Sequence, residues 1–278
     1  MRVMLSLAAA VMLCGAIQCG EPAVQKSSGL TIHWANNFLT ISGGQLPAEV
    51  RVLYLEAYCR SGSTDREWKE TVIGHKTTLL EADEAGKKLK LRCEVNDGIV
   101  VTHEITAGAD EVDFKLSAHN PTRTASDAQW VQPCIQLDKF TGGTKESYVP
   151  KCFVFVDGKL SRLPTQPWAT KARYVPGQVW CPKHVNRNDV NPRPLSDLVP
   201  SSGLIGVFSA DEKLILATAW EPYQELFQGV ITCVHSDFRI GGLTPGETKT
   251  IRGKIYVVDS PDKLVSRYEK DFPEHVGR

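Results

Sequence analysis

From Lys88 to Val95 the chain reads Lys-Leu-Lys-Leu-Arg-Cys-Glu-Val, and the run stops at Asn96-Asp97-Gly98. Successive side chains of a strand point to opposite faces, so this alternation can bury one face and wet the other only in an extended conformation. Asp97-Gly98 supplies the positive φ that a two-residue hairpin turn requires, which makes residues 99–106 the return strand. The same grammar recurs at 30–34, 38–41, 50–55, 112–118, 152–156, 204–209, 214–220, 230–235 and 251–258. Asp157-Gly158 and Thr244-Pro245-Gly246 are further turns. Only the tail reads as helix: Ser260 as cap, Pro261 at the first helical position, then Leu264, Val265 and Tyr268 at helical spacing. The pattern predicts an all-β chain, a large antiparallel β-sandwich with a short C-terminal helix, forming one domain over 29–278.

Residues 163–202 break the strand grammar. This stretch holds seven of the 16 prolines and is expected to be a long polar loop. Its tryptophans, Trp168 and Trp180, argue against disorder, and long loops in compact domains are often functional. Trp180, His184, Arg187, Asn188, Asp189, Asn191 and Arg193 form a dense array suited to a hydroxyl-rich or anionic ligand. Asn and Asp also serve ordinary turns, so a plain loop would use them too.

A second cluster follows. Trp220 ends an alternating run, and Glu221, Tyr223, Gln224, Glu225 and Gln228 are expected in a loop interrupted by Pro222. His235, Asp237 and Arg239 then recur with period two and share one face. A carboxylate beside an imidazole performs acid/base chemistry, Arg holds anions, and Trp or Tyr stacks on a sugar ring. The expected catalytic set is Glu221, His235 and Asp237. Trp180, His184, Arg187, Asp189, Arg193, Trp220, Tyr223 and Arg239 are the expected ligand contacts. A solvated sheet face with salt bridges is the competing interpretation. Residues 61–66 beside Glu56, Tyr58 and Trp68 read mainly as a turn that could edge the same cleft.

Cys181-x2-His184 and Cys233-x-His235 contain the donors of a tetrahedral zinc site, and Asp189 with its Asn neighbours those of a calcium site. Neither spacing matches a metal-binding motif, so no metal and no cofactor is expected. No nucleophile elbow, phosphate loop or dinucleotide fingerprint occurs.

Lys plus Arg and Asp plus Glu both number 32, without the basic excess of a nucleic-acid binder. At the N-terminus, Arg2 precedes an apolar run at 3–13 and the small residues Cys14, Gly15 and Ala16. This is the layout of a secretory signal peptide over 1–19, cleaved after 16 or 19, and too short to span a bilayer. The protein is therefore expected to be exported, to the periplasm, the cell envelope or beyond, with no membrane span. Lipidation at Cys19 is disfavoured by the bulky Gln18. Cleavage after Cys19 leaves six cysteines dispersed through apolar runs, with no connectivity implied.

Two segments, GIVVTHEITAGADEVDFKLSAHNPTRTASDAQWVQP and GGLTPGETKTIRGKIYVV, resemble the galactose-mutarotase-like supersandwich proteins. The whole chain also resembles secreted proteins of planctomycete type. The first resemblance implies a sandwich fold and a sugar-directed surface. It departs from the mutarotase pattern at Trp130-Val131-Gln132-Pro133, where that family's catalytic His is missing. The combined expectation is an exported carbohydrate-directed protein, a sugar hydrolase, lyase or epimerase working through a carboxylate/His cleft. The alternatives are a glycan-binding module without chemistry and a cell-envelope interaction protein.

Overall fold

A computed structural model describes residues 29–144, 146–164 and 172–276. The leader and Trp168 lie outside the described residues. Seventeen strands occur among those described: β1 (Leu30–Ala35), β2 (Phe38–Gly43), β3 (Val50–Arg60), β4 (Val72–Ile73), β5 (His75–Ala82), β6 (Lys88–Val95), β7 (Val100–Ala107), β8 (Glu111–His119), β9 (Ala128–Gln136), β10 (Cys152–Val156), β11 (Lys159–Arg162), β12 (Gln178–Trp180), β13 (Ile205–Phe208), β14 (Ile215–Glu221), β15 (Tyr223–Gln228), β16 (Cys233–Arg239) and β17 (Thr248–Val258). The helices are α1 (Trp68–Thr71), α2 (Asp138–Thr141) and α3 (Pro261–Asp271).

The strands form two antiparallel sheets. Sheet A runs β1-β2-β3-β9-β16-β15-β12, with β4 added beside β3. Sheet B runs β11-β10-β13-β14-β17-β8-β7-β6-β5. The alternation that marked β6 in the sequence appears as Leu89, Leu91, Cys93 and Val95 turned inward and buried. They meet Leu39, Ile41, Val50 and Val52 of sheet A in one core between the sheets. This is the expected all-β sandwich.

Both sheets are also covered over part of their outer faces. Leu264, Tyr268 and Phe272 of the C-terminal segment pack on Phe153, Phe208, Ala217 and Tyr256 of sheet B. On sheet A, residues 181–195 pack Val185 and Val190 against Val179 and Phe227. Central strands buried on both faces lose their alternation. That explains two differences from the sequence expectation. Residues 128–136, interrupted by Pro133, form β9, and the supposed loop after Pro222 is β15, buried throughout. Within the expected long loop, Gln178–Trp180 forms β12 against β15, because Val179 and Trp180 each find an apolar layer.

Candidate functional site

The outer face of sheet A carries a largely buried polar layer. Alternation along β16 aims Cys233, His235, Asp237 and Arg239 outward, while Val234 and Phe238 enter the core. In β15 the pairing shifts: Tyr223 opposes Phe238, and Glu225 opposes Asp237. Gln224 is the extra residue of this bulge, so Gln224 and Glu225 serve the same outer layer. Gln132 and Cys134 of β9 and Glu56 of β3 complete it.

Two peripheral segments close over the layer. The Gly62 amide donates to Asp189 Oδ1 (3.0 Å), Ser63 Oγ to the Val190 carbonyl (2.5 Å) and Thr64 Oγ1 to the Asn188 carbonyl (2.7 Å). Tyr174 donates its hydroxyl to Glu67 Oε2 (2.6 Å). The turn at 61–67 thus holds 174–191 against the sheet. Between them lies a cavity of about 330 Å³, with Glu56, Gln132, Cys134, Cys233 and His235 on its floor. Trp68, Tyr174, Phe227, Asn191 and Arg193 also line it.

His235 is the hub of the floor. Its Nε2 lies 3.3 Å from Cys233 Sγ. Its Nδ1 lies 3.9 Å from Glu56 Oε2 and 4.0 Å from Asp237 Oδ1, with no hydrogen-bond partner. Phe227 stacks on the ring at 4.8 Å. Gln132 Nε2 donates to Asp237 Oδ2 (3.3 Å), and the Asn191 amide donates to Glu225 Oε2 (2.9 Å).

Burial sets the protonation of this layer. It pushes the Glu225 carboxyl up to about 8, and Asp237 goes well above the carboxylate range through burial and the nearby Glu225 and Glu56. Burial and their mutual proximity thus bias both acids toward their protonated forms. The hydrogen bond between the two thiols pulls Cys233 down and pushes Cys134 up. Burial opposes charge on His235, but Cys233 and Glu56 outweigh it and hold the imidazole above its ordinary range. Asp189 is raised because burial outweighs the Arg239 guanidinium, whose Nη1 stands 3.4 Å from Oδ2.

The expected site residues are dispersed. His235 and Asp237 lie together in the layer, and Asp189 and Arg239 pair at its edge, where Arg239 also binds Gln224. Glu221 is elsewhere. It ends a strand of sheet B, and His275 Nε2 lies 2.5 Å from its Oε2, so the expected Glu221–His235 pair does not form. Trp220 stacks between Phe114 and Phe238 in the core, and Trp180 is also a core residue. Neither offers a ring to a ligand; alternation sends both inward. His184 and Tyr223 meet edge to face beside a separate cavity of about 350 Å³. Arg187 turns to the Ser196 carbonyl (2.9 Å) and Asp197, away from the main cavity. Arg193 does reach it, its guanidinium 5.2 Å from the Tyr174 ring. The zinc grouping suggested by spacing does not form, since Cys181 packs with Val185 and bonds to its carbonyl (3.4 Å).

Glu56, Gln132, Cys134 and Tyr174 were not singled out by sequence. Glu56 and Trp68 had been noted only as neighbours of a turn, and Tyr58, beside them in sequence, faces the core. Cys134 carried no local signal, because its partners are about a hundred residues away in the chain and adjacent only through β9–β16 pairing.

No protein-family model matches the chain, and no curated protein does. Solved structures do match. A putative aldose 1-epimerase from Escherichia coli K12 is 11% identical, with 83% of this chain and 99% of that one covered and a TM-score of 0.44. A galactose mutarotase-like protein from Lactobacillus casei is 8% identical, with 83% and 100% covered and a TM-score of 0.43. The α-N-acetylgalactosaminidase of Bifidobacterium bifidum is 9% identical, covering 90% of this chain and 38% of its own length, at a TM-score of 0.49. The likeness is one of fold.

Proposed function

We propose that the sheet A cavity binds a monosaccharide-sized sugar and that Glu56 and His235 exchange protons with it at the anomeric centre. The observation that carries this reading is Glu56 Oε2 standing 3.9 Å from His235 Nδ1 in a walled cavity of about 330 Å³. That volume lies near the lower end of ligand pockets, which span roughly 300–1,000 Å³, and suits one sugar ring rather than a polysaccharide. Trp68 and Tyr174 supply aromatic surface for the apolar side of the ring, and Gln132, Asn191 and Arg193 supply polar groups for its hydroxyls.

The chemistry follows from the donor set. Two-carboxyl glycoside hydrolysis needs a carboxyl on each side of the scissile bond. Glu56 is the one carboxylate among the described residues lining this cavity. One carboxylate beside one imidazole instead fits ring opening and closing. Glu56 takes the proton of the anomeric hydroxyl, the ring oxygen receives one from His235, and the carbon–oxygen ring bond breaks. The aldehyde rotates, and the same transfers run in reverse. The leader pattern supports export, so the sugar would be met beyond the cytoplasmic membrane.

The test is a panel of aldoses, neutral and uronic, followed by exchange NMR of the two anomers with purified protein. Accelerated interconversion, lost about 10²–10⁴-fold in Glu56→Gln with sugar binding retained, is the expected result. Retention of sugar without accelerated exchange would make the protein a binding module. Failure of every sugar to bind would sink the reading.

A further inference from the structure

We propose that Cys134, Cys233 and His235 form a divalent metal site of the zinc class, with its fourth position open to the cavity. This goes beyond the sugar reading; sugar binding is independent of it, but an imidazole that holds a metal through Nε2 keeps its Nδ1 proton, so a confirmed site would move the ring-oxygen proton transfer away from His235. The Sγ atoms of both cysteines and a ring nitrogen of His235 lie within 4.8 Å of one another. Two thiolates and one imidazole are a donor set zinc uses when it keeps an exchangeable position. All three residues also line the cavity, so that position faces Glu56 rather than protein core.

The surroundings are those of a held ligand set. Cys233 sits at the end of a turn in which the Gly229 amide donates to the Cys233 carbonyl (3.0 Å), and the Tyr148 hydroxyl donates to the Ile231 carbonyl (2.7 Å). Gly229 leaves room that another residue would fill: a Cβ there would come 2.2 Å from Cys233 Sγ and 3.1 Å from His235 Nε2. Metal-binding histidines usually direct the second ring nitrogen to a carboxylate. Here Nδ1 faces the Glu56 and Asp237 carboxyls at 3.9 and 4.0 Å. Binding displaces two protons to solvent, that of Cys134 and the one shared between Cys233 Sγ and His235 Nε2, and leaves Nδ1–H facing those carboxyls, with no redox step.

The geometry departs from the sequence expectation in both respects: a metal is proposed, and its ligands are not the Cys181/His184 group. The test uses the full mature protein, reduced and freed of metal, with no sugar present. Zinc added and then dialysed should remain at one equivalent. Cobalt(II) should give the thiolate charge-transfer band and the intense visible bands of a four-coordinate sulfur site. Cys134→Ser and Cys233→Ser should abolish that spectrum, and Cys93→Ser should leave it intact. Should the ligand variants not fold, X-ray absorption on the zinc-loaded wild type decides. The expected shell is two sulfurs at about 2.3 Å and one imidazole nitrogen at about 2.0–2.1 Å, with an oxygen completing it. Substoichiometric zinc, a cobalt spectrum unchanged by Cys134→Ser, or a shell without two sulfurs would overturn the proposal. So would a Cys134–Cys233 disulfide whose reduction restores no metal binding.

Discussion

His103 shows how a single buried residue couples this sandwich to pH. It is fully buried between the sheets, with Tyr54 Oη 2.8 Å from its Nδ1 and no partner at Nε2. Burial, with a smaller contribution from His75, lowers it to about 3. Between that value and the ordinary 6.5 this residue binds more protons in the unfolded chain than in the folded one, so its contribution lowers stability as pH falls through this window. The limiting slope is about 1.4 kcal/mol per pH unit. Glu225 and Asp237, held high by burial, slope the other way over the same range, so the His103 contribution is read as a difference: His103→Gln, which keeps an acceptor for Tyr54 but does not titrate, should lose less thermal stability, or gain more, than the wild type as pH falls from 6.5 to 4.5. Equal slopes for the two proteins would remove His103 as the cause. Imidazole NMR should find His103 neutral at pH 4.5.

At the scale of elements, legibility tracked how many faces a strand has in water. β6, β7 and β8 bury one face, and their alternation gave both the strands and the β6–β7 hairpin. β9 and β15 bury two faces, and β15 lies behind Pro222, so neither announced itself. The period-two run in β16 correctly put His235, Asp237 and Arg239 on one face, yet no local pattern could show that β9 and β3 would bring Gln132, Cys134 and Glu56 beside them. The C-terminal helix was readable from its cap, and Ser260 does accept from the Lys263 amide. Ser260→Ala should cost about 1 kcal/mol. Leu264→Ala should cost about 2–5 kcal/mol, because Leu264 is fully buried on sheet B. Denaturant titrations check both, and cobalt or sugar binding should be unaltered in the folded variants, since the helix covers the opposite sheet.

Across the whole molecule, the sheet A site depends on a clasp between distant parts of the chain. Asp189 joins the turn at Gly62 to Arg239 on β16 and so fixes the segment carrying Val190, Asn191 and Arg193. Asp189→Ala removes both links while leaving the two-sheet core untouched. Charge-assisted hydrogen bonds of this kind are worth about 1.5–3 kcal/mol. The expected result is a comparable loss of stability, faster amide exchange at residues 189–191, and weaker sugar binding. Unchanged exchange there would show that the apolar packing of Val185 and Val190 holds the segment by itself.

The bulge at Gln224 has an evolutionary corollary. Tyr223, Glu225, Leu226 and Phe227 already alternate in the correct sense without it. A one-codon deletion of Gln224 would therefore preserve the parity of the strand, and every downstream side chain would keep its side. What would vanish is one of the acceptors for Arg239 and the donor to the Asp189 carbonyl. A single indel there would thin the contacts around Arg239 while leaving Asp189 tied to Gly62 and the sandwich in register, so the bulge is a point at which the rim of this site tolerates a change of length.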